Sequence, residues 1–402
     1  MGDEKKKILV AEDDPGSLKI LETLLTKWGY AVIPVSNGSK GWEVFNADPD
    51  INIVISDWMM PDIDGVEFCR LIRSAENRKY TYFIMLTAKT QVDDVVEGME
   101  SGADDFVTKP FNQFELKSRI HAGERVTKLE SRLADKIQEL SSAYVQLSSG
   151  LAAAASIQQS ILPPKSGKMN GIGFSSCYIP SEDLSGDLFN IVPLRGNCLG
   201  IYIFDVSGHG VPAALQSVAL GRLLTTYDPR SSLLVDPGPD EIAPIVVPSY
   251  EVVSRLNSQF QSASSKGDFI TFMYGIINRK TGIFTYTRAG HPAPIVISQN
   301  KVAQIKDKGD IPIGIIPQYG YIDNKLNLKS GDRIFLYTDG VPEAGNRDGK
   351  RFGEDAMSKY LAKTSGKPIE ESVAGLMKAL TKWQGDSQQA DDMSILGIEV
   401  RL

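Results

Sequence analysis

Three hydrophobic rhythms follow one another along the chain. In residues 5–125, short apolar runs alternate with amphipathic stretches. The runs are KILVAE, YAVIPVS, INIVISD, YFIMLTA and DDFVTK, and the stretches between them include SLKILETLLTKWG and VDDVVEGMESG. Strands separated by helices predict a parallel sheet covered on both faces. From 114 to 162 the rhythm changes to seven. Val126, Leu133, Leu140, Leu147, Ala154 and Ile161 recur at that interval, and Ile137, Tyr144 and Leu151 widen the stripe. The companion positions Leu129, Lys136, Ala143, Gly150 and Ile157 are mixed. This predicts one long helix burying one side, a dimeric coiled coil rather than a tight zipper. From 165 onward, CLGIYIFDV, FITFMYGIIN, IFTYTRAG, APIVIS, DRIFLYTDG and MSILGIEV read as strands, with two helical stretches near 211–227 and 250–265. That is an α+β pattern of packed sheets flanked by helices. Residues 228–250 hold five Pro and predict an irregular insertion. The expected domains are 1–123, a helical linker 124–162, and 163–402.

Composition narrows the function. The chain has 402 residues, 42% of them hydrophobic, enough for more than one core. Its net charge of −7 argues against nucleic acid as the main partner. No apolar run reaches the ~20 residues of a membrane span. The start, MGDEKKKILV, has no apolar stretch ahead of a small-residue cleavage site, so no signal peptide and a cytoplasmic location are expected. Cys69, Cys177 and Cys198 are too scattered for a disulfide framework or a zinc site.

In the first segment the polar residues stand where strands end: Glu12, Asp13 and Asp14, then Asp57, Thr87 and Lys109. The carboxyl ends of an open α/β sheet form its binding crevice. Carboxylates there suit a hard divalent cation, and Lys and Thr suit phosphoryl oxygens. This spacing resembles the receiver domain of two-component response regulators, a flavodoxin-like fold with a five-stranded parallel sheet. The resemblance implies that Asp57 accepts a phosphoryl group from a cognate histidine kinase. It implies Mg²⁺ held by Glu12, Asp13, Asp57 and the Met59 carbonyl, and Thr87 and Lys109 on the phosphoryl group. It also implies Phe106 as the aromatic switch and a cis Lys109–Pro110 bond.

The third segment poses a different question: why does the strand CLGIYIFDV carry Asp205 at its end? A buried acid is costly unless something charged meets it. A Ser207–His209–Asp205 triad is disfavoured, because DVSGHG is not a nucleophile elbow. Asp187, Asp339 and the pair Asp391–Asp392 also stand at strand edges. Taken singly, a turn at Asp187 and a hairpin turn at Asp339–Gly340 are the alternatives to a metal site. Together, carboxylates without His or Cys favour Mg²⁺ or Mn²⁺. His209 and His291 read as structural.

The order IQQSILPP, SGD, DVSGHG, FITFMYGII, RAGHPAPIVI, YTDGVPEAGN, ADDMSIL resembles the metal-dependent serine/threonine phosphatases of type 2C, in their bacterial stress-response and sporulation branch. That resemblance implies two Mn²⁺ or Mg²⁺ ions. Asp205 and the Val206 carbonyl would bridge them, Asp187 would hold one, and Asp339 and Asp391 the other, with Asp392 a weaker candidate. Asn190 stands where the family commonly has a further acid, so an extra metal position is not expected. Jointly the resemblances imply a response regulator whose Asp57 phosphorylation controls a phosphoserine/phosphothreonine phosphatase. Its expected substrate is a phosphorylated anti-sigma-factor antagonist, and the linker helix is expected to form a homodimer. A non-enzymatic adaptor that binds a sigma-factor regulator is the alternative.

Overall fold

The computed structural model describes residues 6–75, 79–88, 100–238, 244–263, 268–303, 305, 307, 309–387 and 389–401. Its contacts divide into two compact units, Met1–Gln146 and Leu147–Leu402.

In the first unit, β1 (Lys7–Ala11), β2 (Ala31–Val35), β3 (Ile53–Asp57), β4 (Tyr82–Thr87) and β5 (Asp105–Thr108) form a parallel sheet of order β2-β1-β3-β4-β5. The helices α1 (Pro15–Lys27), α2 (Gly38–Ala47) and α3 (Gly65–Ser74) begin where the side chains of Asp14, Asn37 and Asp64 accept backbone N–H groups of the first turn. β3 and β4 are buried along their whole length, as a sheet covered on both faces requires. The expected helix over 92–102 lies mostly outside the described residues.

A single helix, α4, runs from Gln113 to Gln159 over 47 residues. Leu116 and Ile120 are buried in the receiver core and Val126 packs against it. Leu133, Ile137, Leu140, Tyr144 and Leu147 then lie exposed, so among the described residues nothing covers this middle part of the apolar stripe.

The second unit is a sandwich of two antiparallel sheets. One contains β8 (Leu188–Leu194), β9 (Cys198–Val206), β12 (Ile270–Asn278), β13 (Ile283–Ala289) and β16 (Asn324–Asn327). The other contains β6 (Ser166–Met169), β7 (Ile172–Ile179), β14 (Ile295–Ser298), β15 (Lys301–Ala303), β17 (Arg333–Tyr337) and β18 (Met393–Glu399). Ile191, Ile201, Ile203, Leu336, Leu396 and Ile398 fill the space between them. Helices α5 (Val211–Leu223) and α6 (Ser249–Ala263) pack on the first sheet. The described residues of the 228–250 insertion are largely irregular, apart from the two-residue strands β10 (Val235–Asp236) and β11 (Ile245–Val246) and the first residues of α6.

The second sheet carries helices that the sequence reading missed: α7 (Gly340–Glu343), α8 (Glu354–Lys363) and α9 (Ile369–Gln384). The signal was present for α9. Ile369, Val373, Leu376, Met377 and Leu380 have helical spacing and are buried together.

Candidate functional site

In the first unit, β1 and β3 are neighbours, so the residues at their ends meet. Glu12, Asp13 and Asp57 bring carboxylate oxygens within 4.8 Å of one another, the tight acidic trio found among the described residues. Lys109, just beyond β5, reaches both Glu12 (2.6 Å) and Asp57 (2.9 Å). Burial raises the pKa of the Glu12 carboxyl despite this ion pair, and the Asp57 charge adds to the rise. Burial also works against the Lys109 charge, but its bonds to Glu12 and Asp57 outweigh it and raise the pKa of the ammonium. Among the described residues, the three acids exceed the one cation paired with them, Lys109, which suits an added divalent ion.

Thr87 is buried at the end of β4, and its carbonyl accepts the Lys109 N–H at 2.8 Å. Phe106 stands 6.4 Å from Trp58, ring to ring, beside the Asp57 loop. The Met59 side chain is exposed. Asp14 turns away to cap α1 through Ser17. The Lys109–Pro110 bond is cis.

In the second unit, strand alternation explains how acids come to be buried. Leu199, Ile201 and Ile203 face between the sheets, and Asp205 continues that row. Phe189 and Ile191 do the same on β8, with Asp187 two residues before them. Ile334 and Leu336 lead to Thr338, and Asp392 precedes the row Leu396, Ile398. Asp187, Asp205, Thr338 and Asp392 therefore converge at one end of the sandwich.

Hydrogen bonds distinguish them. Asp392 is a fastener: its carboxylate accepts from Ser181 N–H (2.7 Å), Ser181 Oγ (2.9 Å) and Gly186 N–H (2.9 Å). That ties β18 to the loop carrying Asp187. Thr338 Oγ1 donates to Asp187 (2.8 Å) and accepts from Ser394 N–H (3.0 Å). Gly186 lies so close to the Val206 carbonyl that a Cβ there would stand 2.7 Å from it. A Cβ on Gly340 would meet the Asp392 carbonyl at 2.0 Å, so Asp339 is held against the Asp391–Asp392 segment. Asp187 is buried at the base, while Asp339 and Asp391 are exposed at the rim.

The electrostatics are those of acids without enough countercharge. Burial pushes the Asp205 carboxyl up to about 7, and the charges of Asp339, Asp391 and Asp392 add to it. Asp187 is raised well above the carboxylate range by burial and then by Asp205. Asp339 and Asp391 are also raised, first by burial. A set of oxygen donors whose ionisation is opposed by its own neighbours fits hard divalent cations.

Among the described residues, neither His209 nor His291 hydrogen-bonds to the clustered acids. His209 is exposed and faces Glu182 at 3.0 Å. His291 is buried with Nδ1 2.9 Å from Thr271 Oγ1, and burial lowers its pKa to about 3, so it is neutral. Asn190 donates to the Ile161 carbonyl at 2.7 Å, anchoring the chain just after α4.

One residue of consequence escaped the sequence reading. Gln158, in the last turn of α4, is 1% exposed. It donates to Ser185 O (2.6 Å) and Ser217 Oγ (2.7 Å) and accepts from Tyr178 OH (3.0 Å) and Ser185 N–H (3.3 Å). Ser185 Oγ in turn accepts the Asp187 N–H at 3.0 Å. The IQQS stretch offered a weak clue, a polar residue at a helix end that must meet a buried loop.

These two units define a class: a response-regulator receiver joined to a sandwich of the PP2C phosphatase fold. The family description "Response regulator receiver domain" matches residues 8–121. The chain belongs to the family "Stage II sporulation protein E (SpoIIE)", whose description matches residues 195–401. The SiaA-PP2C domain of Pseudomonas aeruginosa is similar in structure, with 20% identity, 64% of this chain and 98% of that chain covered, and a TM-score of 0.53. At that identity the likeness establishes fold. The "Probable transcriptional regulator ycf27" of Pyropia yezoensis is 43% identical over 122 residues, 30% of this chain and 49% of that protein. The "Uncharacterized transcriptional regulatory protein YrkP" of Bacillus subtilis is 39% identical over 116 residues, 29% of this chain and 48% of that protein. The chain spans about half the length of the curated relatives it matches. Among the described residues, no helix is long and apolar enough to cross a membrane.

Proposed function

We infer that the chain is a response regulator in which phosphorylation of Asp57 by a histidine kinase controls a metal-dependent phosphoserine/phosphothreonine phosphatase. Residues 1–123 form the receiver, 124–162 the linker and 163–402 the phosphatase. The observation that carries this reading is Asp205, at the end of an otherwise apolar inter-sheet row, close enough to Asp187, Asp339 and Asp391 for their charges to act on one another.

Asp187, Asp205, Asp339, Asp391 and the Val206 carbonyl would hold two Mn²⁺ or Mg²⁺ ions. When bound, such a pair supplies an activated water and neutralises phosphoryl charge. The protein's part is to hold its acids fixed and close together, where divalent cations would offset the charge that burial and their neighbours oppose. Asp392, Thr338 and Gln158 fasten the Asp187 loop, and the rim acids Asp339 and Asp391 stay open to an arriving phosphoprotein. In the receiver, Glu12, Asp13, Asp57 and the Met59 carbonyl would hold Mg²⁺. Lys109 and Thr87 would meet phosphoryl oxygens on Asp57, with Phe106 as the aromatic switch.

The family supports an anti-sigma-factor antagonist as substrate, and the exposed stripe of α4 supports a homodimer through the linker in a cytoplasmic protein. The test is hydrolysis of an aryl phosphate with Mn²⁺ titrated in, with and without acetyl phosphate. Metal-dependent turnover that Asp339→Asn abolishes while the fold persists is expected. Near-normal turnover in that variant would overturn the metal assignment.

A further inference from the structure

The receiver unit has a polar cavity at the opposite end of its sheet from Asp57. Its volume is about 380 Å³, within the usual range for small-molecule sites. Lys7 opens β1 and Ile53 opens β3, and both line it. Asp57 closes β3, so the cavity lies roughly 15 Å from the phospho-acceptor along the strands.

Its charges are unbalanced. Two carboxylates line it, Asp50 and Glu124, and both already have ammonium partners. Lys6 pairs with Glu124 at 2.8 Å, and Lys7 lies 3.5 Å from Asp50 and 2.7 Å from Asp48. Lys79, Lys128 and Arg132 line the same space, and among the described residues no salt bridge engages them. Three cations from two different elements thus face one cavity in a chain of net charge −7. An anion with charge at several points would offset their mutual repulsion. Ser131 adds a hydroxyl donor from α4.

We propose that this cavity binds a small molecule bearing two or more phosphate groups, bridging Lys79 on the loop before β4 to Lys128 and Arg132 on α4. A single phosphate would fill only a fraction of the space and reach fewer of the cations. The position gives such a ligand leverage. Val126 is packed against the receiver core, whereas Leu129 and Leu133 are exposed, so the cavity sits where α4 leaves that core. A bound polyphosphate pins the helix at its exit, an input separate from Asp57 and independent of the phosphatase reading.

The test is calorimetric titration of the full-length chain in chelator, with tripolyphosphate and ATP in separate arms. Chelation leaves both acidic sites bare, so they repel the probes. Saturable binding is expected that weakens with salt. Lys128→Glu with Arg132→Glu should weaken it at least about tenfold, as should Lys79→Glu from the opposite wall. Lys136→Glu, on the same helix outside the cavity, should not. Equal binding of both probes identifies phosphates alone as the determinant, and tighter ATP binding adds the nucleoside. All these positions are exposed, so the fold persists. No saturable binding below about 1 mM, or an equal loss in Lys136→Glu, overturns the proposal.

Discussion

Replacing Gln158 with Leu keeps the side chain near its original size and removes both its donors and its acceptor. The buried backbone of Ser185 then loses its Gln158 partners, its carbonyl keeping only a long bond from Ser217 Oγ (3.4 Å), and the half-buried Tyr178 hydroxyl loses its acceptor, while Ser217 Oγ retains its bond to Ala214 O at 2.9 Å. Each stranded buried group costs about 1–3 kcal/mol. Partial relaxation of the Ser185 loop brings the expected loss for the second unit to roughly 2–4 kcal/mol. The larger effect falls on Asp187, because Ser185 Oγ accepts its N–H. Groups that orient a metal ligand typically contribute about 10–100-fold in affinity or activity. We therefore expect the Mn²⁺ concentration for half-maximal turnover to rise by about that factor in Gln158→Leu. Turnover at saturating metal should be affected less. The assay is Mn²⁺-dependent aryl phosphate hydrolysis, with thermal melts on the same samples. Wild-type metal dependence in a variant that melts normally would refute the argument, since it would mean Ser185 is held by its own backbone.

Other predictions concern charge and the linker. The Asp205 carboxyl is held at about 7, above its unfolded value near 3.9. Between those values the metal-free native state binds more protons than the unfolded state, so this group's contribution to stability falls as pH rises from about 4 to about 7. Saturating Mn²⁺ should stabilise the chain progressively more over that window, and calorimetry in chelator and in Mn²⁺ would show it. A gain from Mn²⁺ that shrinks with rising pH would contradict the placement of Asp205. Asp57→Ala should abolish any change in turnover caused by acetyl phosphate, and a variant that still responds would mean the receiver is not the input. Leu140→Asp with Leu147→Asp should reduce the dimer fraction in sedimentation and leave each unit folded, because both side chains are exposed within the chain. An unchanged sedimentation coefficient would show that the stripe does not pair.

Much of this was legible in the chain because it depends on local periodicity. The receiver sheet followed from short Val- and Ile-rich runs, and its site from polar residues at their carboxyl ends. The rows leading to Asp187 and Asp205 were readable for the same reason: a strand with period two points its residues predictably. What stayed hidden depended on distant partners. Asp391 and Asp392 look alike as neighbours, yet Asp392 meets Ser181 and Gly186 some two hundred residues earlier in the chain while Asp391 stays at the rim. Gln158 sits between Ile157 and Gln159 in an apparently solvated helix, and nothing in that pattern announces a buried loop over it. Helix α9 was missed although its spacing was plain, because the strands around it dominated the reading.

The carboxylates at the mouth of the sandwich have a consequence for how long the molecule survives. A folded chain that must keep Asp187 buried beside Asp205 works against its own charge. Any ligand that relieves this favours the native state over the unfolded one by mass action. Depleting divalent ions would then expose the second unit to proteolysis as well as silence it. Cellular abundance, and not activity alone, would follow the supply of metal.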